Sequence, residues 1–143
     1  MKRPGIRAIL TTLVFVAAAI QLVPLRRENP PITGPLIDVP PAVDANLRRA
    51  CYNCHSAETT WPWYSYVAPV SWLVVHDVND GRRHLNLSEW TAYTPEERAK
   101  KRAGISTLIQ QGEMPLWYYL PAHPEARLTD EEKQSIVTWA DGG

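Results

Sequence analysis

Two cysteines and a histidine stand together in the segment RACYNCHS, and they are the residues best suited to chemistry in this chain. Cys51 and Cys54 are its only cysteines, and His55 follows the second one directly. The spacing C-x-x-C-H is typical of a covalent haem attachment site. On a helix, two thiols three positions apart point to one side, so both can add to vinyl groups along one porphyrin edge. We therefore predict one covalently bound haem c, with His55 as an iron ligand.

Two other uses of this motif are a redox disulfide and a structural zinc site. A thioredoxin-like disulfide between Cys51 and Cys54 calls for a strand-helix context, and no strand pattern surrounds the motif. A structural zinc ion needs four ligands, which Cys51, Cys54, His55 and one distant histidine could supply in number. Ligands from adjacent positions 54 and 55 are awkward for one tetrahedral ion, so haem is the preferred interpretation. A single motif also argues against a multihaem conduit.

The second axial ligand of the iron is predicted from the segment GEMPLWYYL. In small monohaem cytochromes this ligand comes from a loop before the last helix, and Met114, stiffened by Pro115, occupies that place. A thioether ligand raises the reduction potential relative to a second histidine. Met114 could instead be a gap-filling core residue. The alternative iron ligands are His76, His84 and His123, and a vacant or water-bound sixth position is the remaining possibility.

Other side chains are candidates for the rim and walls of a haem pocket. Arg82 and Arg83 could pair with haem propionates, although both would also be favourable as solvated charges at a helix C-terminus. Trp61, Trp63 and Trp72 are expected to wall the haem rather than to carry chemistry.

Residues 1–25 are predicted to be a membrane anchor or signal segment. Lys2, Arg3 and Arg7 precede an apolar run that reaches about Leu25. A cleaved signal peptide needs a small-residue cleavage site, whereas an uncleaved anchor needs roughly 17 to 25 mostly apolar residues. We favour the transmembrane anchor because apolar residues continue past Ala19. The basic start favours a cytoplasmic N-terminus, which would place the rest of the chain in the periplasm.

The remaining sequence is predicted to divide into a linker, residues 26–43, and one domain, residues 44–143. The linker RRENPPITGPLIDVPP contains five prolines, which exclude a regular helix. The first domain helix is expected to use Asp44 as N-cap and to continue through DANLRRACYNCHS. A second helix is expected to start at Pro69 and to stop at Gly81.

Two further helices carry clear start and stop signals. TPEERAKKRAGISTLIQQG has a capping box formed by Thr94 and Glu97 and a stop at Gly112. TDEEKQSIVTWADGG has a second capping box, formed by Thr129 and Glu132. No strand alternation and no internal repeat is evident, so the fold is predicted to be all-α.

The composition limits the possible partners. Fifteen acidic residues balance fifteen basic ones, and a nucleic-acid-binding surface usually shows a basic excess. Thirteen prolines indicate short helices joined by irregular loops, and six tryptophans indicate a large apolar area around something flat or bulky.

Several blocks of the sequence resemble the bacterial haem-binding domain family of c-type cytochromes. The resemblance runs from about Ile20 to Trp139 and is carried by CYNCHS, WPWYS, HLNLSEW, HPEARLT and the segment that starts at MPLWYYL. The cysteine motif is common to all c-type cytochromes, whereas the other blocks are more specific. The resemblance implies a small cytochrome c-like helical domain in a single-pass protein of the bacterial inner membrane, with the haem in the periplasm.

From these features we expect a one-electron carrier that is not itself an enzyme. Closing both axial positions of a haem iron favours electron transfer over oxygen binding or activation. Its partners would be membrane redox proteins or other cytochromes, and the N-terminal helix would hold it at the membrane. The alternative is a haem-based sensor or ligand-binding module with an open or displaceable sixth position. A structural subunit whose haem acts as a folding staple is a third possibility.

Overall fold

The regular structure of the chain is helical throughout the residues that the computed structural model describes, which are 5–32, 34 and 37–142. The α-helices are α1 (Ile6–Ile20), α2 (Pro41–Ala50), α3 (Tyr52–His55), α4 (Val70–His84), α5 (Pro95–Gln110) and α6 (Asp130–Ala140). Short 3-10 helices cover Trp63–Tyr66, Leu87–Ala92 and Pro124–Ala126. No strand occurs in these described residues, so the all-α prediction is confirmed.

The chain forms two compact units, and the boundary between them falls inside α4. The first unit comprises the residues up to Glu28 together with Trp61–Asp77. The second unit comprises Asn29–Thr60 together with the chain from Val78 onward. All four predicted haem-binding residues therefore belong to the second unit.

The core of the second unit lies between α2, α5 and α6. Leu47 and Ile136 are almost completely buried there. Trp90 lies in the same cluster, with its ring centroid 6.3 Å from that of Trp139 and 6.1 Å from that of Tyr93. Aromatic pairs at this separation contribute beyond the area they bury. Two of the six tryptophans are thus core residues of this unit.

The predicted helix around the cysteine motif differs from the observed one at its start and in its middle. α2 begins at Pro41 with Pro40 as N-cap, so Asp44 is not the cap; it lies in the first helical turn and pairs with Arg48 at 2.9 Å. Proline is favourable at a first helical position because its missing N–H would have no helical partner there. The helix is then interrupted at Cys51, whose φ of −121° ends α2 and precedes the single turn of α3.

The predicted stop at Gly81 is also wrong, since α4 continues through it to His84. The two capping boxes are confirmed. The hydroxyls of Thr94 and Thr129 each accept a hydrogen bond from the N–H of the glutamate three residues later, at 3.2 Å in both cases. Gly112 follows α5 with a φ of +71°, a left-handed conformation that glycine adopts without strain.

The N-terminal helix α1 has 15 residues, and its side chains are exposed except that of Ile20, which is half-buried. Among the described residues, no helix combines the length and the apolarity that crossing a membrane requires. Lys2 and Arg3, the first two residues of the predicted basic start, lie outside the described residues.

The capping hydroxyl of α6 can be tested alone. Thr129→Ala removes the acceptor of the Glu132 N–H and is expected to lower the free energy of unfolding by about 1 kcal/mol. Equilibrium unfolding in urea, followed by circular dichroism, measures this change. Thr129→Ser is the matched control, because it keeps the hydroxyl and should stay close to the wild type. Equal destabilisation by both substitutions would show that the hydroxyl is not responsible.

Candidate functional site

The two cysteines and His55 lie within one turn of helix. The backbone N–H groups of Cys54 and His55 both donate to the carbonyl of Cys51, at 3.1 and 2.9 Å. Both cysteines are half-buried and neither is in a disulfide. The predicted trio is therefore brought together by local backbone structure, and what fixes its orientation comes from other parts of the second unit.

The imidazole of His55 is oriented by α4 and the residue that follows it. Its Nδ1 atom lies 3.0 Å from the carbonyl oxygen of Gly81 and 3.1 Å from that of Leu85. Because carbonyl oxygens only accept hydrogen bonds, Nδ1 must carry the proton, and Nε2 keeps its lone pair. A metal-binding histidine is typically oriented in this way, by a hydrogen bond from its other ring nitrogen.

The charge state of His55 also suits a metal ligand. Burial lowers the pKa of this imidazole below the ordinary histidine value, and the two backbone hydrogen bonds oppose that effect only in part. The ring is therefore neutral at neutral pH, which is the form that binds a metal ion.

Gly81 allows the contact between α4 and the cysteine motif. A Cβ atom at this position would lie 2.7 Å from the backbone oxygen of Cys54 and 3.3 Å from its Cβ. The first distance is shorter than real Cβ contacts and the second is very tight. A backbone oxygen, unlike the end of a flexible side chain, cannot move away to relieve the clash. Glycine inside a helix typically costs about 0.5–1 kcal/mol relative to alanine. Here the missing side chain lets the Gly81 carbonyl reach His55, so Gly81 is a positioning residue that the sequence analysis had interpreted as a helix stop.

Arg82 holds the chain immediately after the motif. Its Nε donates to the carbonyl of Ser56 at 2.7 Å, and its Nη2 donates to Asn29 Oδ1 at 2.7 Å and to Thr59 Oγ1 at 2.8 Å. Burial lowers the pKa of this guanidinium. These contacts make Arg82 a clamp within the protein, and its role as a propionate partner stays a prediction. Arg83 is exposed and pairs with Asp80.

Three further polar side chains fix the motif, and the sequence analysis did not single them out. Asn53 donates from Nδ2 to the Tyr119 hydroxyl at 2.9 Å and accepts from the Thr60 N–H at 3.0 Å. Ser56 is fully buried and donates to the carbonyl of Tyr52 at 2.7 Å. Ser88, on the 3-10 helix after α4, accepts from the backbone N–H at position 57 at 3.0 Å. Serine and asparagine beside a helix end commonly make such local bonds, which is the signal that could have marked the first two.

Met114 lies in the turn that follows α5. The backbone N–H groups of Glu113 and Met114 both donate to the carbonyl of Leu108, at 2.9 and 3.3 Å. The Met114 side chain is half-buried. The turn therefore fixes the backbone of Met114 against the end of α5, and its role as the second axial ligand stays a prediction.

The three histidines considered as alternatives have their own surroundings. The side chains of His76 and His84 are largely exposed, and His84 Nδ1 lies 3.0 Å from the carbonyl of Asp80. His123 is stacked on Tyr119 with ring centroids 4.0 Å apart, and its Nδ1 lies 2.8 Å from the Glu125 carboxylate. These surroundings do not select among the three histidines and Met114, and Met114 as the second axial ligand stays a prediction.

The geometry disfavours the two other uses of the cysteine motif. Among the described residues, no group of three or more histidine, cysteine or acidic side chains is placed to hold a metal ion, so the zinc interpretation finds no support. Burial, reinforced by the neighbouring Cys54, raises the pKa of Cys51 to about 12. Redox-active C-x-x-C pairs have a lowered thiol pKa, and Cys51 shows the opposite shift.

Comparison with known proteins gave one match. The sequence model of a family described as "Haem-binding domain" matches residues 15–142. A match was found neither among curated proteins nor among solved structures. The matched residues include the cysteine motif, Gly81 and Met114.

The close contact at Gly81 predicts the effect of a single methyl group. Gly81→Ala places a Cβ against the Cys54 carbonyl, so α4 and the motif must separate and the hydrogen bond from His55 Nδ1 must lengthen. We expect less bound haem per chain, measured from the ratio of haem to protein absorbance, and a stability loss of about 1–3 kcal/mol from overpacking.

The matched control is Gly104→Ala. A Cβ at this position on α5 meets nothing within 4 Å. This variant should bind haem like the wild type and gain about 0.5–1 kcal/mol in stability, because alanine is the better helix former. Wild-type haem content in Gly81→Ala would contradict the positioning role of Gly81.

Proposed function

Since the chain belongs to the haem-binding domain family, we propose that it is a c-type haem protein with one covalently attached haem. Cys51 and Cys54 form the two thioethers, and His55 binds the iron through Nε2. The observation that carries this proposal is the His55 imidazole itself. Its Nδ1–H is held by two backbone carbonyls, and its free nitrogen lies on the same helical turn as two thiols.

The attachment chemistry is consistent with these residues. Each thiol would add across one vinyl double bond, with the sulfur bonding to one carbon and the hydrogen to the other, so no oxidant is consumed. The two thioethers would use both cysteines of the chain. This use agrees with the raised pKa of Cys51, because a protonated thiol is a poor partner for disulfide exchange.

We propose that the activity is one-electron transfer and that the protein is not an enzyme. When bound, haem supplies a ferric-ferrous couple, and the task of the chain is to hold it without rearrangement. The hydrogen bonds of His55, Asn53 and Arg82 keep the proximal side of the site in one arrangement. Met114 is the proposed second axial ligand, and with both axial positions closed the iron favours electron transfer over oxygen chemistry.

We propose the inner membrane as the location, with the haem on the periplasmic side. The support is the N-terminal segment, which has no charged residue between Arg7 and Arg26 and whose helix exposes apolar side chains such as Leu13, Val14 and Phe15. Membrane redox proteins or other cytochromes are the proposed partners, since such a location would keep the haem close to them.

The covalent attachment gives the first test of this function. Protein expressed in a host that assembles c-type cytochromes should keep its colour after denaturation and acid extraction, and both thiols should resist alkylation. Cys51→Ala and Cys54→Ala should each leave one thioether, and the double variant should release all of its haem. Mass spectrometry of the intact chain measures the bound haem. A colourless extracted polypeptide with two thiols free to alkylate would reject the proposal.

The axial ligand gives the second test. Met114→Ala should open the sixth position, so that the reduced protein binds carbon monoxide, and should lower the midpoint potential because a thioether ligand favours the ferrous state. Visible spectra with and without carbon monoxide and a potentiometric titration measure both effects. Glu113→Ala, at the exposed neighbouring position, is the control and should behave like the wild type. Rapid carbon monoxide binding by the wild type would favour the ligand-binding module over the electron carrier.

A further inference from the structure

The first unit carries a long stretch of sequence without charge. No aspartate, glutamate, lysine or arginine occurs between Glu58 and Asp77, and none occurs between Arg7 and Arg26. These two stretches supply residues 8–25 and 61–76 of the first unit. A surface built from them has almost no groups that require hydration of a full charge.

Many side chains of these uncharged stretches are exposed to solvent. Five exposed side chains between the start of the 3-10 helix Trp63–Tyr66 and the first turn of α4 form what we call the apolar patch; they are Trp63, Tyr66, Val67, Val70 and Leu73. Trp63 is 77% exposed. Clustered exposed apolar side chains of this kind mark a surface that contacts a protein or a membrane.

The apolar patch is fixed to the end of α1 by hydrogen bonds. Gln21, which directly follows α1, accepts from the backbone N–H of Ala68 at 3.0 Å and donates to its carbonyl at 3.2 Å. Arg27 donates to the carbonyl of Ser65 at 2.6 Å, and its guanidinium lies 4.6 Å from the ring centroid of Tyr66. These bonds hold the segment that carries the patch against the residues that follow α1, within one compact unit.

We propose that the apolar patch is a second membrane-binding surface, which rests in the headgroup region of the bilayer that α1 enters. This inference rests on the membrane location proposed above. Tryptophan and tyrosine are the residues most enriched at membrane–water interfaces, and Trp63 and Tyr66 are both in the patch. Exposed Arg26, between the end of α1 and Arg27, is placed to meet lipid phosphate. The first unit is thus bound to the bilayer through α1 and the patch together.

Photocrosslinking to lipid tests this surface in the full-length, haem-bearing protein. Vesicles of phosphatidylethanolamine and phosphatidylglycerol would carry a phospholipid with a diazirine near the glycerol end of one acyl chain. After irradiation and digestion, mass spectrometry should find lipid adducts on the peptide that spans 59–77 as well as on α1. The internal control is the exposed Glu96–Lys100 ion pair of α5, whose charges favour water over the acyl region and whose peptide should carry no adduct.

A charge in the patch provides the matched variant. Leu73→Glu changes a half-exposed position in the first turn of α4, where a carboxylate is favourable for the helix. It should reduce adducts on the 59–77 peptide severalfold and leave those on α1 unchanged. Trp117→Glu is the control and should change neither.

Each other outcome overturns the inference in a different way. Adducts on α1 alone would show that the patch does not contact lipid. A protein that does not float with the vesicles would reject both the patch and the membrane location. The same digest reports the haem on the peptide that contains Cys51 and Cys54, so a failure of the haem proposal is measured separately.

Discussion

The hydrogen bond from His55 Nδ1 to the backbone of α4 is the constraint on which the rest of the site depends. It requires the backbone of α4 to pack directly against the backbone of the cysteine motif, about as closely as two backbones can approach. That approach is possible because position 81 has no Cβ, since any side chain there would collide with the Cys54 carbonyl. Both the neutral state of the imidazole and the direction of its free nitrogen follow from this contact. The orientation of His55 thus depends on a residue that has no side chain.

The polar groups around the motif serve the same contact from other directions. Arg82 is next to Gly81 on α4, and it binds the carbonyl of Ser56, which is next to His55. Two neighbouring residues of α4 therefore hold two neighbouring residues of the motif. Gly81 accepts a hydrogen bond from His55 through its backbone carbonyl, and Arg82 donates one to the Ser56 carbonyl from its guanidinium. A partly buried guanidinium needs acceptors for its donors, and here oxygens of Ser56, Thr59 and Asn29 accept from Nε and Nη2 of Arg82.

Features that depend on residues close together in the sequence could be predicted, whereas features that depend on contacts between distant segments could not. The capping boxes at Thr94 and Thr129 were predicted because their bonds close within three residues. The cysteine motif was found for the same reason. Gly81 was interpreted as a helix stop because its function appears only when a segment 26 residues earlier packs against it. The break at Cys51 also escaped prediction, since the sequence around it continues a helical pattern.

The tryptophans show why composition alone could not assign these surfaces. Six tryptophans suggested a wall around one bulky group, but they occupy different environments. Trp90 and Trp139 pack against each other in the core of the second unit, whereas Trp63 is exposed in a segment that contains no charge. What distinguishes these positions is burial: Trp90 and Trp139 are 5% and 4% exposed in one hydrophobic cluster, whereas Trp63 is 77% exposed. Composition counts the tryptophans but does not record which of them the fold buries, so the exposed position of Trp63 could be found only from the structure.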